Sequence, residues 1–197
     1  MAHLPLNIDV SDKRILVIGG GSVATRKIHS LLEAGATVLV VAPEITTEIR
    51  QLATDGAIKV HIRPYHSGDL SNIFLAVAAT SDQQVNRTIA EDARQRGILV
   101  TVTDAPASGN CSFPALLRRG DLQISISTNG TCPGFAVEVR NLLAAEIGEE
   151  YGTILETLSA EREKLLTEGS RSIYYNQILR SRARELINEL AKHKDVP

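Results

Sequence analysis

Three consecutive glycines separate an apolar run that ends at Ile18 from a stretch with helical spacing. Gly19, Gly21 and Ala24 fit the spacing G-x-G-x-x-(G/A). In this pattern the first glycine allows a tight turn, the second lets a pyrophosphate approach the backbone, and the small third residue lets helix and strand pack closely. The helix N-terminus then faces the phosphates. The stretch predicts a dinucleotide site, and the alternative is a plain glycine-rich turn in a wound α/β fold.

The second part of such a site is the end of the next strand, where an NAD-binding chain usually carries Asp or Glu for the ribose. This chain has Ala42 and Pro43 at that point, followed by Glu44, which either takes the ribose role or opens the next helix. No arginine follows the strand until Arg50, so these residues give NADP no better support than NAD. The predicted cofactor contacts are Gly19, Gly21, Ser22, Val23, Ala24, Ala42, Pro43, Glu44 and Thr80.

A parallel sheet wound with helices would bring these residues together, and the chain up to about residue 105 has the matching pattern. Runs that are apolar on consecutive residues fit strands covered on both faces, and helix-compatible segments lie between them. The fold class that this predicts is α/β, with a Rossmann-like doubly wound parallel sheet. The predicted strands are Ile15 to Ile18, Thr37 to Val41, Ile58 to Ile62, Phe74 to Ala78 and Ile98 to Val102. Thr80, Ser81 and Asp82 end the fourth strand, where they either contact the cofactor or only cap the next helix.

The pattern changes after Pro106, which indicates a second unit. Residues 114–119 and 122–127 have the pattern of two hairpin strands, and the second alternates like a strand with one wet face. From Phe135 onward the spacing is helical. The predicted helix breaks are Gly148, Gly152 and Gly169. We predict three units: residues 1–113 with the glycine loop, a small α+β unit at 114–150, and a helical C-terminal domain at 151–197.

Composition and charge exclude several classes of function. The chain of 197 residues has 21 Lys and Arg against 23 Asp and Glu, and its net charge of −2 does not suggest a nucleic-acid partner. There is no secretory leader pattern and no run of about 18 apolar residues, so we predict a cytoplasmic protein without a membrane partner. The two cysteines, Cys111 and Cys132, are expected to be small buried residues. The five histidines have no ligand spacing, so no metal site is predicted.

Four groups of residues together resemble the precorrin-2 dehydrogenase family, which includes the sirohydrochlorin-forming part of sirohaem synthases. The first is GGGSVATRK at 19–27, with LLEAGA at 31–36 and VVAPE at 40–44. The second is AATSD at 78–82, with Asn86. The third is VTDAP at 102–106, followed by CSFPA at 111–115, and the fourth is ISISTNGTCP at 124–133, with Arg140. The resemblance covers residues 6 to about 150.

This resemblance implies an NAD-binding Rossmann domain, a dimerisation unit at 114–150, a helical tail and a homodimer. It implies NAD-dependent oxidation of precorrin-2, a reduced tetrapyrrole with eight carboxylates, to sirohydrochlorin; some members also insert ferrous iron. Asp104 aligns with the aspartate that the resemblance marks as catalytic, and it follows the last predicted sheet strand, at the edge where wound sheets bind ligands. Without the resemblance, an aspartate two residues before Pro106 would more simply cap a turn.

Carboxylates of the substrate need cations or backbone N–H groups as partners. The candidate substrate contacts are Arg118, Arg119, Thr128, Gly130, Cys132 and Arg140. Arg26 and Lys27 on the helix after the glycine loop are further candidate cations. The alternative for each cation is a solvated face, and the alternative for the loop at 128–133 is a plain turn from strand to helix.

Two other functions stay open at this point. A Rossmann unit that binds NAD(H) and signals through the helical tail would be a nucleotide-sensing module, and a dehydrogenase for a small polar metabolite also fits the fold. The DAP and CSFPA stretches and the arginine-bearing hairpin favour the tetrapyrrole enzyme. The sequence leaves open whether metal is also inserted, because a chelatase need not hold iron before the tetrapyrrole arrives.

Overall fold

The computed structural model describes residues 3–167 and 172–194, and the chain divides into two compact units at 1–113 and 114–197. Strands and helices alternate in the first unit, as the apolar runs predict. The strands are β1 (Arg14–Ile18), β2 (Thr37–Ala42), β3 (Lys59–Ile62), β4 (Leu75–Ala78) and β5 (Leu99–Val102). The helices are α1 (Ser22–Glu33), α2 (Thr47–Thr54) and α3 (Gln83–Gln95), with short 3-10 turns at Ser67–Leu70 and Pro106–Ser108.

The strands of the first unit form one parallel sheet in the order β3-β2-β1-β4-β5, which confirms the predicted fold class. β1 therefore lies between β2 and β4, and the chain crosses to the other side of β1 after β3. In wound sheets a ligand binds at the carboxyl ends of the strands beside such a crossover. The topology places the candidate site at the ends of β1, β2, β4 and β5.

Helices cover both faces of this sheet, which explains why its strands are apolar on consecutive residues. Alternate residues of a strand point to opposite faces. Val17 accordingly packs in a cluster with Ile28 of α1, whereas Ile18 packs in a second cluster with Ile89 of α3. Each of these side chains is almost fully buried, and each such burial stabilises the fold by about 1.5–3 kcal/mol.

The free edge of β5 is covered by the segment at residues 109–111. Asn110 Oδ1 accepts from the N–H of Val100 at 2.7 Å, and Asn110 Nδ2 donates to the carbonyl oxygen of Ile98 at 3.1 Å. Gly109 permits this approach, because a Cβ there would lie 2.6 Å from the carbonyl oxygen of Val100. The side chain of Asn110 thus takes the place of a neighbouring strand and anchors the chain that follows Asp104.

The second unit begins with an antiparallel hairpin, β6 (Ala115–Arg119) and β7 (Leu122–Ile126), and continues as α4 (Pro133–Glu146), α5 (Glu150–Thr167) and α6 (Ser172–Lys194). The hairpin and the helices were both predicted. The sequence also predicts a boundary near residue 150; the structure places the hairpin and these helices in a single compact unit. In the ranges that the structure describes, no helix is both long and apolar enough to cross a membrane.

The predicted helix breaks have different outcomes. Gly148 lies between α4 and α5, as predicted. Gly152 lies inside α5, so the break predicted there is wrong. A Cβ at Gly152 would lie 2.9 Å from the carbonyl oxygen of Arg119, so glycine at this position lets the helix approach β6 closely. Gly169 lies outside the described residues.

Candidate functional site

The glycine loop after β1 lies between the ends of two neighbouring strands. The N–H of Gly19 donates to the carbonyl oxygen of Val41 at 3.1 Å, and Gly19 adopts a φ of +125°. This angle favours glycine, and a Cβ here would collide with the carbonyl oxygen of Ala79. Gly19 therefore permits the tight turn that the motif assigns to its first glycine.

Gly20 and Gly21 have opposite surroundings. A Cβ on Gly20 would collide with the carbonyl oxygen of Glu44, and the Gly20 carbonyl accepts from the N–H of Thr46 at 2.9 Å. Gly20 thus lets the β2–α2 loop pack on the glycine loop. A Cβ on Gly21 would meet no atom within 4 Å among the described residues, and its φ is −87°. The described protein itself does not require glycine at position 21, whereas a pyrophosphate lying against the backbone does.

Helix α1 begins at this loop without a capping side chain and, within the described chain, without an acidic residue in its first turn. The other two helices of the first unit are capped: Thr46 accepts from the N–H of Ile49 at 3.2 Å, and Asp82 accepts from the N–H of Gln84 at 2.8 Å. The N–H groups and the positive dipole end of α1 are therefore available to an anion. This arrangement fits the pyrophosphate of a dinucleotide. The residues of the first turn are Ser22, Val23 and Ala24.

The loop after β2 lies beside the glycine loop. Ala42, the last residue of β2, is buried, whereas Pro43 and Glu44 are exposed. Helix α2 begins at Thr47 with Thr46 as its cap, so Glu44 does not open the helix. The ribose role stays the prediction for Glu44, and its backbone contact with Gly20 puts this residue next to the open N-terminus of α1.

The side chain of Asn86 connects the ends of β4 and β5. Its Oδ1 accepts from the backbone N of Thr80 at 3.2 Å and from Thr80 Oγ1 at 2.8 Å. Its Nδ2 donates to the Thr80 carbonyl oxygen at 3.0 Å and to Asp104 Oδ1 at 2.9 Å. Because the Thr80 N–H only donates, the atom that faces it must be Oδ1, which fixes the orientation of the amide. Asn86 is 1% exposed, and both its donors and its acceptor are used.

Asp104 lies in the loop directly after β5, with its side chain exposed. The preceding residue anchors this loop to β4, because Thr103 donates to the carbonyl oxygen of Ala78 from its backbone N at 3.0 Å and from Oγ1 at 3.2 Å. Asp104 therefore shares the carboxyl edge of the sheet with the glycine loop. With Oδ1 bound by Asn86, the second carboxylate oxygen is placed to accept a proton from a molecule at this edge.

The residues between β4 and α3 have clear structural roles. Asp82 caps α3, and its backbone N donates to Thr80 Oγ1 at 3.1 Å. Of the two roles predicted for this segment, Asp82 therefore has that of capping the next helix. Contact of Thr80 or Ser81 with a cofactor stays a prediction.

Arg119 occupies a structural position in the second unit. Its guanidinium donates to the carbonyl oxygens of Ile147 at 2.8 Å, Ala144 at 3.2 Å and Arg118 at 3.0 Å, and it lies 3.2 Å from Glu149. The first two carbonyls belong to the C-terminal end of α4, where a cation is favourable. Arg119 thus ties the hairpin to α4, and the predicted bond to a substrate carboxylate would compete with these contacts.

The other predicted substrate contacts lie elsewhere in the second unit. Arg118 is half-buried on β6, and Arg140, half-buried on α4, donates to Asn141 Oδ1 at 2.6 Å. In the loop before α4, the N–H of Cys132 donates to Thr128 Oγ1 at 3.3 Å, and Gly130 has a φ of +80°. This loop leads into a helix that, in the described residues, has no side-chain cap. Their contact with substrate stays a prediction.

Of the two cations predicted on α1, Lys27 has an unusual environment. Its Nζ lies 4.3 Å from the centre of the Phe113 ring, a cation–π contact. Burial, together with the nearby charge of Arg26, lowers the pKa of Lys27. Arg26 itself is exposed.

The two cysteines differ. Cys111 is half-buried, and burial raises the pKa of its thiol to about 11, so it stays protonated at neutral pH. Cys132 is exposed, so its predicted burial is wrong, because it lies in the loop that leads into α4. Across the described ranges, no group of three or more His, Cys, Asp or Glu side chains is arranged to hold a metal ion.

Comparison with known proteins identifies the first unit. The model of an NAD(P)-binding family matches residues 6–115, more than half of the chain. The chain belongs to this NAD(P)-binding family. The matched residues include the glycine loop, Asn86 and Asp104. A second family model, described as sirohaem biosynthesis protein central, matches residues 119–146 in the second unit.

Two individual relatives of this chain are named siroheme synthases. A siroheme synthase of Ectopseudomonas mendocina (strain ymp) is 41% identical over 154 residues, which are 78% of this chain and 33% of that protein. One of Pseudomonas entomophila (strain L48) is 38% identical over 165 residues, which are 84% of this chain and 36% of that protein. The chain thus spans about a third of the length of these curated relatives. The resemblance that the motifs indicate is confirmed.

A solved structure extends the similarity over nearly the whole chain. SirC, precorrin-2 dehydrogenase, is 27% identical, with a TM-score of 0.79. The match covers 96% of this chain and 100% of that one. Both units, including the hairpin and the C-terminal helices, therefore have counterparts in that fold.

The sequence pattern assigns no role to Asn86. This residue belongs to one of the motifs that carry the resemblance, but it lies on the buried face of α3 with Ile89, Ala90 and Ala93. A polar residue on an otherwise apolar helix face is the signal that would have marked it, because a buried amide needs partners. Gly20 likewise occupies a variable position of the motif, so the pattern assigns it no role.

Proposed function

We propose that this protein oxidises precorrin-2 to sirohydrochlorin with NAD as the oxidant, as part of sirohaem and tetrapyrrole synthesis. The observation that carries the proposal is that the glycine loop and the Asp104 carboxylate lie at the same edge of one sheet, and that Asn86 holds the carboxylate. The siroheme synthase relatives and the similarity to a precorrin-2 dehydrogenase support the choice of substrate.

The residues of the first unit have separate roles in this reaction. The backbone at Gly21 and the N-terminus of α1 bind the pyrophosphate, and Glu44 binds the ribose. Bound NAD supplies the acceptor for the hydride. Asp104 accepts the proton that leaves as the conjugation of the tetrapyrrole extends, and Asn86 keeps its carboxylate directed at the sheet edge.

The carboxylates of the substrate call for cationic and N–H partners, and the second unit provides them. We assign this role to Arg118 and Arg140, since the guanidinium of Arg119 is bonded to α4. The loop at 128–132 adds N–H groups at the start of α4. Ferrous iron would be a second substrate, and insertion into sirohydrochlorin stays open.

A homodimer through the second unit also stays a proposal. Exposed apolar side chains on this unit support it: Phe135 is 61% exposed and Leu142, on the same helix, is 70% exposed. Large exposed apolar groups commonly mark an interface with another chain. A cytoplasmic location, and the lack of nucleic-acid and membrane partners, stay predictions.

The proposal is tested anaerobically with purified protein, enzymatically prepared precorrin-2 and either NAD or NADP. The tetrapyrrole spectrum and the appearance of reduced cofactor are followed together, and ferrous iron is then added. We expect NADH to form in step with sirohydrochlorin, and faster with NAD than with NADP. Tight binding of NADH without any change of precorrin-2 would instead favour the NAD(H)-sensing module.

A further inference from the structure

A chain of hydroxyl groups links the two loops that meet at the start of α1. Thr25 Oγ1 donates to the carbonyl oxygen of Gly21 at 3.0 Å, and Thr25 Oγ1 lies 3.1 Å from Thr46 Oγ1. Thr46 Oγ1 in turn accepts from the N–H of Ile49 at 3.2 Å. Thr25 is buried, with 4% of its surface exposed.

The direction of this hydrogen-bond chain follows from proton counting. A hydroxyl has one proton to donate, and a carbonyl oxygen only accepts. Because the proton of Thr25 goes to Gly21, the proton between the two hydroxyls must come from Thr46. The chain therefore runs from the Ile49 N–H through Thr46 and Thr25 to the Gly21 carbonyl.

The end of the chain fixes the peptide group that faces the phosphates. The Gly21 carbonyl accepts both from the backbone N of Thr25 at 3.0 Å and from its hydroxyl. In a trans peptide the carbonyl and the following N–H point in opposite directions. Holding the Gly21 carbonyl toward Thr25 therefore directs the N–H of Ser22 the opposite way, out of the N-terminal end of α1.

The other end of the chain fixes the loop that carries Glu44. The backbone N of Thr46 donates to the Gly20 carbonyl at 2.9 Å, and the Glu44 carbonyl lies against the Cα of Gly20. Thr46 is thus bonded to the glycine loop twice, once directly and once through Thr25. These bonds hold the glycine loop and the loop that carries Glu44 in a fixed position relative to each other.

We propose that Thr25 and Thr46 are positioning residues for the adenosine and pyrophosphate half of the dinucleotide. Neither side chain needs to contact it. The inference rests on the NAD binding in the proposed function and does not depend on the substrate. Loss of either hydroxyl breaks the same chain, so the two losses are not independent.

The test is a double-mutant cycle with Thr25→Val and Thr46→Val, in which NADH and ADP-ribose binding are measured by calorimetric titration. We expect each single variant to weaken binding of both ligands about tenfold, and the double variant to weaken it little further. Thr25→Ser and Thr46→Ser should restore binding. With saturating precorrin-2 and varied NAD, the KM for NAD should rise while kcat is kept.

Thr54→Val is the matched control. Thr54 Oγ1 donates to the carbonyl oxygen four residues earlier, as Thr25 does, but it has no hydrogen bond to a second loop among the described residues. This control should bind NADH as the wild type does. Thr46 also caps α2, so Thr46→Val is more prone to unfold than Thr25→Val. If Thr46→Val does not fold, the NADH affinity of Thr25→Val alone tests the inference.

Folded Thr25→Val protein that binds NADH within about twofold of the wild type would overturn the inference while leaving the proposed reaction intact. Weakened binding in both variants, with no turnover of precorrin-2 by the wild type, would support the inference and refute the reaction. A wild-type protein that binds neither NADH nor ADP-ribose would overturn both.

Discussion

The amide nitrogen of Asn86 lies 2.9 Å from Oδ1 of Asp104 and donates to it. The two residues are 18 positions apart in sequence, on α3 and after β5. Through this bond a fully buried side chain controls the direction of an exposed carboxylate. The geometry makes Asn86 the structural support of the proposed proton acceptor.

Replacing Asn86 by Ala should therefore affect both folding and turnover. The change leaves the backbone N–H and carbonyl of Thr80 without their side-chain partner, which should lower the free energy of unfolding by about 1–3 kcal/mol in urea denaturation. Turnover of precorrin-2 should fall about tenfold or more, because the Asp104 carboxylate is no longer held. Thr80→Val is the control for stability: it removes one hydroxyl but keeps both backbone bonds to Asn86, so its loss of unfolding free energy should be smaller. Equal losses in the two variants would contradict the role given to Asn86.

Much of the fold is predictable from the sequence because burial on both faces imposes a simple pattern. β1, β2 and β4 are apolar on consecutive residues, and turns rich in glycine or polar residues separate them from the helices. The helix break predicted at Gly152 is wrong, because the spacing of the neighbouring residues does not show that β6 approaches α5 at this position.

The candidate site was predictable in part. The glycine loop and Asp104 follow from local spacing and from resemblance. The bond between Asn86 and Asp104 depends on the pairing of β4 with β5, and the bonds of Arg119 depend on the docking of α4 on the hairpin. Such contacts join distant positions, and a single sequence does not indicate which distant positions meet.

Gly21→Ala should weaken NADH binding more than it destabilises the fold. A Cβ at this position meets open space and φ is ordinary, so the free energy of unfolding should fall by no more than about 1 kcal/mol, the cost of alanine at a helix N-cap. The same methyl lies where the pyrophosphate approaches, so NADH should bind about tenfold or more weakly.

Two further glycine variants serve as references for this prediction. Gly134→Ala also places a methyl in open space but lies in α4, and it should bind NADH normally. Gly20→Ala should unfold at clearly lower denaturant concentration, because its Cβ collides with the backbone of Glu44. Normal NADH affinity in Gly21→Ala would contradict the assignment of this loop to the pyrophosphate.

Arg119→Met should lower the stability of the protein, because Arg119 has a structural role. The variant loses the bonds to the carbonyls of Ile147 and Ala144, which should destabilise the second unit by about 1–3 kcal/mol. Glu149→Gln, which neutralises a partner that is 81% exposed, should change stability by less than about 0.5 kcal/mol. A higher KM for precorrin-2 with unchanged stability in Arg119→Met would instead favour the original prediction that Arg119 binds a substrate carboxylate.

The two thiols should react at different rates with iodoacetamide at pH 8. Burial raises the pKa of Cys111 to about 11, so the reactive thiolate is scarce at this pH, and access is limited as well. Cys132 is exposed and should be alkylated first in native protein, as measured by mass spectrometry of peptides. In urea both should react. Equal labelling of the native protein would mean that the segment holding Cys111 opens readily.

The most direct test of the central claim compares wild-type protein with Asp104→Asn in one experiment. NADH binding is measured by titration, and anaerobic single turnover of precorrin-2 with NAD is followed through NADH and sirohydrochlorin together. An asparagine at 104 still accepts a hydrogen bond from Asn86 but is a poor proton acceptor. We predict that the wild type forms one NADH per sirohydrochlorin. In Asp104→Asn we predict a turnover rate at least about 100-fold lower, with unchanged NADH affinity. Turnover by Asp104→Asn near the wild-type rate would show that this carboxylate is not the base.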